Sequence, residues 1–156
     1  MKLRILFFIF SILLSGCVDV DICDENSESE LLVKFKTVKE GLTSDSTVAA
    51  LSLYGIREGM ADSLLYSSES TFGFVVPLNP HLPYSSFVLK IDEQTDTLTV
   101  YHHQELYLIS YTCGFANMFT LEGLEHNTGM IVNDSILIEM VDAEYESEEE
   151  HIWLYL

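Results

Sequence analysis

The sequence predicts an all-β domain, an antiparallel β-sandwich set behind an N-terminal signal peptide and an acidic tether. Three observations carry that prediction. From Leu31 onward apolar and polar residues alternate with period two in run after run, the pattern of strands with one face on a core and the other in water. Glycine, proline and short polar clusters separate these runs at close intervals, as turns require. Beyond residue 16 no stretch of adequate length carries apolar residues at helical spacing.

Met1-Lys2-Leu3-Arg4 is a short basic start, and Ile5 to Leu14 is apolar except for Ser11; together they read as a secretory signal peptide. The run falls short of the roughly 20 apolar residues that span a bilayer, and Asp19 and Asp21 end it. Leu14-Ser15-Gly16-Cys17 resembles the lipobox of bacterial lipoproteins. That resemblance implies that residues 1–16 are removed and that Cys17 becomes the lipidated first residue. Each buried methylene contributes about 0.8 kcal/mol, and two or more acyl chains hold where one is marginal, so no transmembrane helix is needed. Loss of Lys2 and Arg4 leaves five basic residues against 25 acidic ones, a shift in net charge from −18 to −20. Nucleic acid is excluded as a partner, because binding it needs a basic footprint. A domain this acidic is expected to stand off an anionic membrane surface.

Residues 17–30, with Asp19, Asp21, Asp24, Glu25, Glu28 and Glu30, read as a lipidated acidic tether, and residues 31–156 as the sandwich. Leu31, Val33 and Phe35 share one face of a first strand and Lys34 and Lys36 the other. Polar Thr43 to Thr47 separates it from Leu51-Ser52-Leu53-Tyr54, and Leu64-Leu65-Tyr66 follows Gly55 and Gly59. Thr71 to Val76 ends at Pro77, and Asn79 to Pro83 is loop by composition. Ser86 to Ile91 and Thr97 to Tyr101 flank Asp92 to Asp96, a loop short enough to force an antiparallel hairpin. Leu106 to Tyr111, Phe115 to Leu121, Ser135 to Val141 and Ile152 to Leu156 complete the set, divided by His102-His103-Gln104, Thr112-Cys113-Gly114, a loop through Gly129 and the acidic run Asp142 to Glu150. Many short strands joined by turns match an immunoglobulin-like or similar sandwich.

Once Cys17 is acylated, Cys23 and Cys113 remain, and an exported compartment permits them to pair. The bridge would close a loop of about 90 residues and stabilise by about 4 to 5 kcal/mol in the chain-entropy model; two free thiols are the alternative. Glu144, Glu146, Glu148, Glu149 and Glu150 suit a solvated loop, with a divalent cation site as the functional rival. The twelve-residue calcium loop fails twice. Started at Asp19 it puts Cys23 and Asp24 at its fifth and sixth positions, and started at Asp92 it reaches Asp96 at the fifth but His103 at the twelfth. Adjacent His102 and His103 point to opposite faces of a strand and cannot easily share an ion, while His81, His126 and His151 read as isolated surface or edge residues. There is no HExxH, no GxSxG elbow and no phosphate-cradling glycine loop. Catalytic residues, metal ligands and cofactors are therefore all expected to be none.

The box ending at Cys17, Asp21-Ile22-Cys23, Leu64-Leu65-Tyr66, Pro77-Leu78-Asn79-Pro80, Asp96-Thr97-Leu98-Thr99, Cys113-Gly114-Phe115 and Glu149-Glu150-His151-Ile152 resemble an uncharacterised domain family of small Bacteroidetes lipoproteins. Some of its members are labelled calcium-binding protein P, a label the loop test does not carry over to this chain. The resemblance runs nearly end to end and implies a place at the outer membrane, on its periplasmic face or the cell surface. It also suggests an outer-membrane β-barrel protein as a partner. Two function classes follow. One is a non-catalytic binding or accessory module for an envelope protein, using aromatics drawn from Tyr54, Tyr66, Tyr101, Tyr107, Tyr111, Tyr145 and Trp153. The alternative binds a cation such as Ca²⁺, or a small solute, through acidic loops.

Overall fold

The computed structural model describes residues 28–127, 129–143 and 149–156. Residues 1–16, read above as a signal peptide, Cys17, Cys23, most of the expected tether and residues 144–148 of the acidic run lie outside the described residues. Within them the chain is all-β, without helix. The strands are β1 (Glu30–Lys39), β2 (Leu42–Asp45), β3 (Val48–Gly55), β4 (Ser63–Thr71), β5 (Gly73–Pro77), β6 (Tyr84–Ile91), β7 (Gln94–Ser110), β8 (Gly114–His126), β9 (Asn133–Ile136), β10 (Met140–Val141) and β11 (Ile152–Tyr155).

Two sheets pack face to face as a β-sandwich. The larger runs β10-β8-β7-β6-β3-β4, and the smaller runs β2-β1-β11-β9 with β5 also on β1. The expected alternation places Leu31, Val33 and Phe35 of β1, Leu51 and Leu53 of β3, Leu89 of β6, Leu98 and Val100 of β7, and Ile152 and Leu154 of β11 in the shared core, fully buried. Each such side chain contributes about 1.5 to 3 kcal/mol by leaving water. Phe35 and Phe74 meet there with ring centroids 5.7 Å apart.

The smaller sheet is organised by β1. Along one edge it pairs in parallel with β11, Val33 opposite Ile152 and Phe35 opposite Leu154; along the other it takes β5 on its first half and β2 on its second. The start and the end of the domain are thus zipped together in one sheet. Gly73 makes the β1–β5 approach possible: a Cβ there would lie 2.3 Å from the Val33 carbonyl oxygen. The turn from β1 to β2 is Glu40-Gly41 with φ of 54° and 80°, two successive positive values that match a type I′ hairpin and favour glycine at the second place.

Four sequence expectations change in detail. The polar stretch that includes Thr43, Ser44 and Asp45 is the exposed strand β2. The hairpin loop after Ile91 is two residues long, since Gln94 already pairs with Ile91. His102-His103-Gln104 does not interrupt its strand but lies inside β7. Ser135 to Val141 is not one strand: β9 joins β11 in the smaller sheet, and β10 joins β8 in the larger.

Candidate functional site

The register of the larger sheet determines what lies at its ends. β6 begins at Tyr84, opposite Tyr101, and β7 runs on past it to Ser110. At this end the segment after β3 and the Asn79–Pro83 loop enclose an open cleft of about 410 Å³. Leu65, Leu78 and Phe87 give it an apolar floor; Arg57, Glu58 and Tyr84 stand among its polar lining. Arg57 Nη2 donates to Ser63 Oγ at 3.2 Å, and Tyr84 Oη donates to Glu58 Oε1 at 2.8 Å. The hydrogen bond and charge of Glu58 push the Tyr84 phenol above its ordinary range, so it stays a neutral donor. Beside it Tyr101 Oη donates to Glu125 Oε2 at 2.7 Å, and its ring lies 6.4 Å from that of Tyr84.

Ser85, also on the cleft wall, brings a serine hydroxyl to a histidine: its Oγ lies 2.9 Å from His102 Nε2. A nucleophilic dyad needs a third group to orient the imidazole. His102 Nδ1 has no hydrogen-bond partner among the described residues, and the ring packs edge-on against Phe119 at 5.1 Å. Burial holds the His102 pKa below its ordinary value, with Glu122 opposing, so the ring is neutral at neutral pH. The Asn79 amide donates to Ser85 Oγ at 2.7 Å. The pair therefore fastens the cleft loop to the larger sheet.

The other buried polar side chains serve the fold in similar ways. Asp96 Oδ2 accepts from the Met130 and Ile131 amides, each at 3.1 Å, and Oδ1 accepts from the Thr97 amide at 2.8 Å. This carboxylate ties the loop after β8 to β7. His151, expected at a surface or edge, is fully buried; its Nδ1 accepts from the Leu32 amide at 3.0 Å, and its own amide donates to the Leu32 carbonyl at 3.1 Å. Desolvation holds its pKa down against the opposing influence of Asp142 and the Met140 backbone. Lys36, expected on the solvent face of β1, is buried under Trp153, 4.5 Å from the ring, with Nζ 2.6 Å from Asp45 and 3.0 Å from Glu150. Burial works to lower its pKa, but the two carboxylates outweigh it and the pKa is raised.

Of the residues singled out from sequence, Cys113 lies half-buried in the β7–β8 turn, its amide donating to Ser110 Oγ at 2.9 Å. Cys17 and Cys23 lie outside the described residues, as does Tyr145. Among the described residues no three His, Cys, Asp or Glu side chains converge to hold a metal ion. His102 and His103 do point to opposite faces, the first buried and the second exposed. Of the candidate aromatics Tyr101 and Tyr111 are exposed, while Tyr54, Tyr66, Tyr107 and Trp153 are half-buried. The cleft itself was missed by sequence reasoning. Its signal was the cluster Pro77, Asn79 and Pro80, which lines the cleft together with Gly55.

Residues 50–156 match the model of a family described as a family of unknown function, DUF6452. The chain belongs to this family. The DUF6452 match begins inside β3 and so leaves out β1 and β2, although β1 is the strand on which the smaller sheet is built. It takes in every cleft residue named above. Neither a curated protein nor a solved structure matches the chain.

Proposed function

We propose that the chain is an outer-membrane lipoprotein, anchored through Cys17, whose sandwich acts without catalysis as a binding or accessory module for an envelope protein. The observation that carries this reading is the cleft at the Tyr84 end: an apolar floor of Leu65, Leu78 and Phe87 beside Arg57, Glu58 and a neutral Tyr84 hydroxyl. Apolar pockets with a few placed polar groups take up side chains on the floor and fix backbone or charged groups at the rim. A loop of an outer-membrane β-barrel protein has the required chemistry. The buried polar groups favour a non-catalytic role, since Asp96, His102, His151 and Lys36 each hold one part of the sandwich to another. Pairing of Cys23 with Cys113 belongs to the same proposal and would tie the segment after the anchor to the β7–β8 turn.

Photocrosslinking in whole cells tests it. A crosslinking residue placed at Ile56, exposed beside the cleft, is expected to capture one integral envelope protein reproducibly; the same residue at Glu93, in the turn at the far end of β6, is not. Equal capture from both positions, or none from Ile56, contradicts the reading.

A further inference from the structure

Beyond the last β6–β7 pair, and past Phe119 where β10 last pairs with β8, the two longest strands continue as a two-stranded arm, touched at Tyr107 by the Ala143 amide. Leu106 faces Asn117 across it and Leu108 faces Phe115. These four continue the face that carries buried Phe119 and Leu121 further down, but here Leu106 and Phe115 are each 66% exposed, and Tyr111 at the tip is 99% exposed. An isolated two-stranded ribbon is marginal in water, and an apolar face at its end calls for a cover. In a chain with 25 acidic residues, the sixteen from Leu106 to Leu121 contain no Asp, Glu, Lys, Arg or His. Beyond Glu105 at its base, the two strands of the arm carry no charge.

The chain enters the domain at this same arm. Ser29 Oγ donates to the Asn117 carbonyl, and Ser29 lies only twelve residues beyond Cys17, a reach of about 40 Å when fully extended. We propose that the β7–β8 arm docks its neutral apolar face and tip into the interfacial region of the bilayer that carries the anchor. Aromatic and aliphatic side chains without charge suit that layer, Tyr above all. The cleft lies at the end of the larger sheet from which the arm projects, so docking would hold it close to membrane-embedded partners. This inference rests on Cys17 as the lipidated residue.

The test uses the mature lipidated chain in protein-free vesicles of phosphatidylethanolamine and phosphatidylglycerol. The mass of its N-terminal peptide is read first; an unacylated Cys17 defeats the anchor reading itself. With the lipid present, a Tyr111→Trp variant is expected to show blue-shifted emission and at least twofold quenching by brominated lipids. Glu93→Trp, at the opposite end, is expected to show neither. Adding Leu106→Ser and Phe115→Ser should abolish the quenching with the melting temperature unchanged. Docking is overturned if Tyr111→Trp is unquenched although acylated. It is also overturned if the arm is shielded only in native membranes, which would make its cover a protein, or is equally shielded before vesicles are added, which would make it the chain's own N-terminal segment.

Discussion

Replacing Asp96 by alanine removes the acceptor for two buried amides. Met130 and Ile131 are both buried, and each donates to Asp96 Oδ2 at 3.1 Å. A buried donor left unsatisfied costs about 1 to 3 kcal/mol, so the pair costs about 2 to 6 kcal/mol, and the Thr97 amide on Oδ1 adds to it. For a domain of this size each kcal/mol lowers the melting temperature by about 3 to 5 °C. We therefore expect Asp96→Ala to melt about 10 °C or more below the parent in thermal unfolding followed by circular dichroism. In urea its midpoint should fall in parallel with an unchanged m-value. Asp96→Asn keeps one carbonyl oxygen and should lose roughly half as much. Hydrogen exchange at Met130 and Ile131 should accelerate in the alanine variant ahead of the core amides. A loss below about 1 kcal/mol would refute the assignment of this carboxylate to loop anchoring.

Further outcomes follow from the same contacts. Gly73→Ala should cost about 3 kcal/mol or more in urea unfolding, because its Cβ would lie 2.3 Å from a backbone oxygen of β1 that cannot swing away. Lys36→Met should cost about 1 to 2 kcal/mol in the same assay, less than the rupture of a fully buried pair because Asp45 is largely exposed. His102 and His151 have pKa values held below 6.5 by burial; the unfolded chain therefore binds protons first, and stability present above pH 6.5 is lost as the pH falls. Urea midpoints measured between pH 7.5 and 5 should show that decline, with a shallower slope in His102→Gln. Millimolar Ca²⁺ should leave the melting temperature unchanged, whereas a rise of several degrees would favour the cation-binding alternative.

The strand-rich core was legible because alternation reports burial directly: Leu31, Val33 and Phe35 are inside, as their spacing demands. The places where the reading failed have a common cause. β2 is exposed along its whole length, so no alternation marks it, and only the Glu40-Gly41 turn announces it. His102 inside and His103 outside continue the alternation of β7 in polar residues, which made a strand resemble a loop. Asp96, His151 and Lys36 are buried because partners far along the chain receive them, Ile131, Leu32 and Glu150 respectively. Such partners are invisible to local pattern. The cleft needed the tertiary structure for the same reason, since its walls come from segments on either side of β4 and β5.

The arm beyond Glu105 differs in charge from the chain as a whole. A net charge of −18 describes the average surface and suggests repulsion from a membrane, yet the entrance of the chain and its neutral apolar arm lie together at Asn117. If the chain is anchored as proposed, charge distribution and not its sum decides which end approaches the bilayer.

Both the proposed anchoring and the proposed orientation rest on Cys17. Mass spectrometry of the N-terminal peptide of the chain purified from the cell envelope tests that claim most directly. We expect the peptide to begin at Cys17 and to carry a diacylglyceryl group on the thiol; an unmodified cysteine, or a mature chain that begins at another residue, would contradict it.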